Sequence, residues 1–463
     1  MEIRTPRVLL FELNEFNKEL LKSALSGGNL PGIQRLLSLP QVMTLTKDTY
    51  DSDRLEPWVQ WVNVHTGHES LEHGVRHLGD VTKLKHDQIW ETLSGAGVSS
   101  GIWGVLNGSR GKSPECRFFF PDPWTFSEEA FPKKLNRLLE FPRYLATNRV
   151  SPSILTLGTT FLKFSTVLLK PFIALKFLKN LPMALGMILR YPKSEFSGFC
   201  FFEYLSAMAF CMNWKKHKPD FSILFVNMLA HLQHYYWNGQ DVSQNKKIMY
   251  GLKFIDQIIL EIFSMLGPDD HFLTTNALSQ KNTNKEPSWN SYRPIDHTAF
   301  LTQIGIRFER VEALMSYDAN IEFSTQKERD AAQRIIDSVT TNSKPLFLTD
   351  RYSDHPTRLF YRLQYTDKIS KDQTFSVSGN VFKFTDHFHH IAERTGKHIS
   401  SGTFFSNHGV PDKPMMNHQI CHWICELFHL EKSSDRQTTS ENRSHQNQHV
   451  PFENPDPVSI HPA

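Results

Sequence analysis

Cysteine is scarce in this chain. Five occur in 463 residues (Cys116, Cys200, Cys211, Cys421 and Cys425), an odd number and scattered. That excludes a disulfide framework and fits a reducing compartment. Cys421 and Cys425 stand at i, i+4 in an apolar run, where packing on one helix face is expected ahead of a zinc pair. An excess of one charge is also lacking. The 51 basic and 48 acidic residues leave a net charge of +3, whereas nucleic-acid binding usually calls for a strongly basic domain. No uncharged apolar run reaches about 18 residues, so no ordinary membrane-spanning helix is expected. The opening MEIRTPRVLLFELNEF has an apolar stretch of only residues 8–11 before Glu12, too short for a signal peptide, and a cytoplasmic location is expected.

What is present is enough for a core. Hydrophobic residues make up 40% and charged residues 21%, which excludes wholesale disorder. At roughly 100–200 residues per domain, the length suits two to four units or one large α/β domain with an insertion. Phenylalanine is abundant, 35 residues, which signals much buried or lipid-facing aromatic surface.

The pattern alternates. RVLLFEL (7–13) predicts a buried strand, residues 14–17 a turn, and 18–37 a helix broken by Gly27-Gly28 and Leu30-Pro31-Gly32. Residues 57–66 run to a helix stop at Thr66-Gly67, 85–96 predict a helix and 99–106 a strand. Later, 221–227 predict a strand, 246–266 a helix, 271–275 a strand and 345–365 a strand pair, with weaker elements at 307–317 and 328–338. Strands alternating with helices imply a mostly parallel sheet covered by helices. Residues 150–194 differ. They hold six basic residues (Lys163, Lys170, Lys176, Lys179, Arg190 and Lys193), no acidic one, and two prolines, Pro171 and Pro182. Either this is a helical cap with solvated lysines, or an interfacial segment with apolar faces at lipid and lysines at anionic headgroups. Residues 432–463 are polar and nearly free of aliphatics, the composition of a disordered tail.

Several segments, in order, resemble the alkaline phosphatase superfamily, and within it the type I phosphodiesterase/nucleotide pyrophosphatase branch. They are RVLLFELNEFNKELL followed by NLPGIQRLL, EPWVQWVNVHTGHESLEHGV (56–75), AHLQHYYW (230–237), TTNALSQ (274–280) and HISSG (398–402). The second is the most specific. The resemblance covers about three quarters of the chain and implies a three-layer α/β sandwich with a mostly parallel central sheet. It also implies a site with two divalent metals and a Thr or Ser nucleophile. The departures are as informative. The first family Asp reads Asn14, the nucleophile position Pro57, the second Asp Ala230, and the Asp-His pair Asn276-Ala277. Only His234 and His398 match family ligands. Neutral amides are poor zinc ligands and proline has no hydroxyl, so a standard two-metal, alkoxide route is not expected.

A different site on the same scaffold remains open. His231 and His234 stand one helical turn apart and, with His398, would make a three-histidine centre for one divalent metal, zinc or manganese; hydrogen-bonded histidines beside Tyr235, Tyr236 and Trp237 are the plainer alternative. Glu12 and Glu15 flank Asn14 at the C-terminal end of the first strand, where α/β sheets place ligands, and are the candidate general bases. Asn14, Asn276 and Trp58 are candidate substrate contacts; amides at the helix start near Trp58 suit a phosphate, although Glu56 opposes it. The cluster at 386–390 and the GSRGK loop at 108–112 are expected to be surface features.

These observations lead to two expectations. One is a divergent hydrolase or transferase acting on a phosphate-containing substrate, lipid- or nucleotide-linked. The other is a pseudoenzyme that binds an anionic ligand or partner at a membrane surface. The expected layout is an α/β core in two parts (1–125 and 216–431), a basic, apolar helical insertion (126–215) and the tail (432–463), with peripheral contact to the inner face of a membrane through 150–194.

Overall fold

The computed structural model describes residues 7–47, 55–147, 153–192, 196–239, 241–314, 317–352 and 355–430. The tail expected from residue 432 onward, and Lys193, lie outside the described residues. The chain is organised as a large unit, 1–421, followed by 422–463.

The centre of the large unit is an eight-stranded sheet. Its middle strand, Val8–Leu13, is buried along its whole length and runs parallel to Phe221–Val226 on one side and His271–Thr275 on the other. Ser100–Trp103 and Cys116–Phe120 extend the sheet in parallel beyond Phe221–Val226. On the opposite edge, Ser401–Ser406 runs antiparallel between His271–Thr275 and Gln41–Leu45, and Met415–Met416 closes that edge. The mixed α/β sandwich is therefore the expected one. The strands at 41–45, 116–120 and 401–406 escaped prediction because polar residues interrupt their short apolar runs: Gln41 and Thr44 in the first, Arg117 in the second, and Ser401, Thr403 and Ser406 in the third.

Strand periodicity sorts the layers. Leu9, Phe11 and Leu13 face a core shared with the helices Lys18–Ala24, Pro31–Leu37, Phe196–His217 and Lys246–Met265. The alternate residues Glu12 and Asn14 face the helix Pro57–Thr66. Its Trp61 and His65, one turn apart, meet them at 2.7 Å each: Trp61 Nε1 donates to Asn14 Oδ1, and His65 Nε2 faces Glu12 Oε1. Two residues along a strand and four along a helix both advance about 6–7 Å, which is why these pairs match. Pro57 at the first helical position and Gly67 in the left-handed conformation bound that helix, as the sequence signals require.

Two additions frame the core. Helices Asn136–Thr147, Ile154–Ser165 and Pro171–Arg190 lead into Phe196–His217. Pro171–Arg190 has the length and apolarity of a membrane-crossing helix, against the sequence expectation: Lys176 and Lys179 interrupt the apolar run but not the helix. Within 216–431 lies a β-rich lobe with its own core around Phe300, Ile321, Phe347, Tyr361 and Phe388. It includes the sheet Phe347–Arg351, Arg358–Leu363, Asp318–Glu322 and Arg310–Ala313, and the antiparallel pair Trp289–Pro294 with Phe388–Arg394.

Candidate functional site

At the C-terminal end of Val8–Leu13 the chain turns at Glu15, whose φ of 55° is left-handed and costs a non-glycine residue about 1 kcal/mol or more. The turn is pinned: Glu15 N–H donates to the Asn276 carbonyl (3.2 Å), and Gln233 Nε2 donates to the Glu15 carbonyl (2.8 Å). The bent backbone aims the Glu15 carboxylate between two imidazoles. His234 Nε2 lies 3.0 Å and His398 Nε2 2.9 Å from Glu15 Oε2, and the two imidazole nitrogens are 3.3 Å apart. His234 comes from the helix Met228–Tyr236 and His398 from the strand Gly396–Ile399, which pairs with Ser279–Asn282. Gly396 permits the close approach: a Cβ there would meet the Gln233 carbonyl oxygen at 2.7 Å.

The electrostatics separate the two histidines. Burial pushes the His234 pKa down to about 4, reinforced by the Arg394 guanidinium, so its imidazole is neutral near pH 7. His398 is also penalised by burial, but Glu15 outweighs this and holds its pKa above the usual value. For Glu15, burial works to raise the pKa, yet His398 and His234 hold it well below the ordinary range. His398 Nδ1 donates to the Leu55 carbonyl at 2.6 Å, so its Nε2 is the atom turned to the cluster.

The cluster lies in the wall of a cavity of about 960 Å³. Arg394 and Arg362, both supplied by the β-rich lobe, also line it. Arg362 is neutralised by Glu56 at 2.8 Å. Arg394 lies 3.1 Å from His234 Nδ1 and stacks over Trp289, and among the described residues no carboxylate is within ion-pair distance of it. Neither arginine was singled out from the sequence. Arg394 stands four residues before His398, and that spacing alone carries no recognisable signal.

The expected site residues are divided by this geometry. Asn14, Glu15, Trp58, His231, His234 and His398 all line the cavity, as do Pro57 and Ala230. Asn14 is held by Trp61, Asn227 and Glu15. His231 is not the third member of the cluster: it packs against Phe199 and Tyr235, and Glu15 takes that place. Glu12 is fully buried beneath the helix Pro57–Thr66, bonded to His65, and does not line the cavity. Asn276 turns inward, donating to the Phe16 carbonyl and accepting from Thr403 N–H, and does not line the cavity. The loop at 108–112 directs the amides of Arg110 and Lys112 to Glu128 and Glu91, so these are not aimed at an anion.

No protein-family model and no curated protein matches this sequence. Solved structures resemble its chain course at low identity. Phosphonoacetate hydrolase from Sinorhizobium meliloti in complex with phosphonoformate is 13% identical, with 91% of this chain and 96% of that chain covered and a TM-score of 0.44. Human ectonucleotide pyrophosphatase/phosphodiesterase 5 is 12% identical over 92% and 95%, with a TM-score of 0.44. The inactive form of its murine counterpart in complex with AMP is 11% identical over 92% and 96%, with a TM-score of 0.38.

Proposed function

We propose that this chain is a phosphoric-ester hydrolase in which the substrate phosphate sits beside the Glu15–His234–His398 cluster with Arg394 as its charge partner. The observation that carries the reading is that cavity-lining guanidinium, which lacks a carboxylate partner among the described residues. Arg394 is half-buried, and although Glu15 and Glu56 favour its charged form from a distance, neither pairs with it directly, so a phosphate can take its bidentate hydrogen bonds.

The cluster fits one divalent ion. It offers one carboxylate oxygen and two imidazole nitrogens within 4.8 Å of one another, and the far nitrogen of His398 is oriented by a backbone carbonyl. Zinc or manganese held by Glu15, His234 and His398 would supply Lewis acidity toward a phosphoryl oxygen. Pro57 has no hydroxyl, so the attacking group in this reading is water and no covalent phospho-enzyme forms. Free cysteines throughout the described residues suit the reducing, cytoplasmic setting proposed for it.

A second reading, anion binding without turnover, is favoured by the direct Glu15–His398 ion pair, which satisfies the cluster without a metal. Metal analysis and turnover of aryl phosphate mono- and diesters separate the two. About one equivalent of metal, lost in H234A/H398A, with an R394A variant whose KM rises tenfold or more, supports the hydrolase. Metal-free protein that binds phosphate through Arg394 and turns over nothing supports the binding protein.

A further inference from the structure

The large exposed apolar side chains are not spread evenly. Among the described residues, eleven of eighteen fall between Leu145 and Leu189, including Ile154 (87% exposed), Leu155 (78%), Leu169 (79%) and Leu189 (79%). A monomer in water rarely leaves so much apolar surface in one region. The charges there are one-sided. Lys163 and Lys176 pair with Glu140 and Glu261, while Lys170, Lys179 and Arg190 are exposed on a stretch with no acidic residue. One side of Pro171–Arg190 is fixed to the protein, through Lys176 to Glu261 and through Asn180 to Gln257. A helix bound along one side and apolar along the other lies on a bilayer rather than crossing it.

The same helices border the cavity. Leu145, Phe161, Leu185 and Ile188 are both exposed and cavity-lining, and Phe164, Leu181 and Phe202 line the same cavity as His234 and Arg394. A cavity with apolar walls and a guanidinium that has no carboxylate at ion-pair distance among the described residues matches an amphiphile: hydrocarbon against the apolar walls, phosphate at Arg394.

We propose that the helices spanning 154–190 seat the protein on an anionic bilayer, and that the cavity takes the hydrocarbon chain of a phosphate-bearing lipid drawn from it. The claim rests on the phosphate site at Arg394 proposed above and names the class of its substrate.

Two binding measurements on the full chain test it without requiring turnover. The first is flotation with phosphatidylcholine vesicles, with and without phosphatidylserine. Binding should need the anionic lipid and fall with salt. Replacing Lys170 and Lys179 with alanine should weaken it about thirtyfold, and the exposed-site variant L155S/L162S/L189S should abolish it while leaving the affinity for the shortest alkyl phosphate unchanged. The second is competition by alkyl phosphates of increasing length. Affinity should rise about fourfold per methylene until the chain fills the cavity. Gly198→Trp should remove that gain and leave the affinity of the shortest homologue alone, because Gly198 lines the cavity and a Cβ there meets open space. Wild-type protein that ignores vesicles, or floats unchanged in the triple variant, overturns the membrane seat. Affinity independent of chain length, with Arg394-dependent phosphate binding intact, overturns the lipid substrate and leaves the phosphate site standing. Failure to bind even the shortest alkyl phosphate overturns both.

Discussion

Glu203 gives the fold a pH dependence that can be calculated and broken. It stands on the helix Phe196–His217, and its carboxylate accepts the N–H groups of Asn227 (2.8 Å) and Met228 (2.5 Å) at the start of Met228–Tyr236, a helix whose own Asn227 side chain makes no capping bond. Burial raises its pKa to about 7, against the opposing pull of those two amides. A carboxyl that holds its proton more tightly in the folded than in the unfolded chain contributes stability below about pH 4.5, and that contribution is lost as pH rises through about 7. The full shift is worth ~3 kcal/mol at most; because Glu203 lines the cavity, solvent screening brings the expected loss nearer ~1–2 kcal/mol. Glu203→Gln removes the titration. Its amide oxygen accepts from one backbone N–H but its NH2 group faces the other, a cost of ~1 kcal/mol at low pH. Urea denaturation should therefore show E203Q less stable than wild type at pH 5 and equal or more stable at pH 8.5. Parallel stability curves across that range would refute the assignment.

Other perturbations test the scaffold. His65→Leu strands a buried Glu12 and should cost ~3–5 kcal/mol, most of which E12L/H65L recovers because no charge is then left unpaired; urea midpoints of the single and double variants measure both. Gly32→Ala places a Cβ 2.4 Å from the Asp256 carbonyl and should lower stability by ~1–3 kcal/mol through displacement of Pro31–Leu37 from Lys246–Met265, read as a lower midpoint with unchanged m-value. Gly396→Ala should push His398 away from His234 and weaken divalent metal binding ~10–100-fold, the usual consequence of misplacing a ligand's support; isothermal titration with zinc gives the number, and unchanged affinity removes Gly396 as the spacer.

Much of the core was legible because its signals are local. Strands at 8–13 and 221–226 are nearly continuous apolar runs, the strand at 271–275 follows a plain turn signal at 267–270, and the helix at 246–265 carries its stripe in plain view. The site was legible only where one chemical type must recur. His234 and His398 could be proposed together on the resemblance, although 164 residues separate them. Glu15 was named as a base beside a three-histidine centre. Its actual place between the imidazoles depends on a left-handed backbone that no side-chain pattern announces. Glu12 was misplaced by the same limit: period two puts it on the face of Asn14, but does not announce that His65 of the helix Pro57–Thr66 covers it. Arg394 and Arg362 belong to the β-rich lobe, whose short strands of mixed polarity give little periodicity to read.

That division of labour has a mechanical side. The carboxylate and one imidazole are carried by the central sheet and the helix beside it, whereas the two guanidinium groups ride on strands rooted in a separate hydrophobic nucleus. Any sliding of one nucleus over the other changes the spacing between opposite charges before it disturbs either interior. Grip on an anion is thereby tied to how the two masses are shimmed together, and substitutions far from the cleft, at the seam, become handles on affinity.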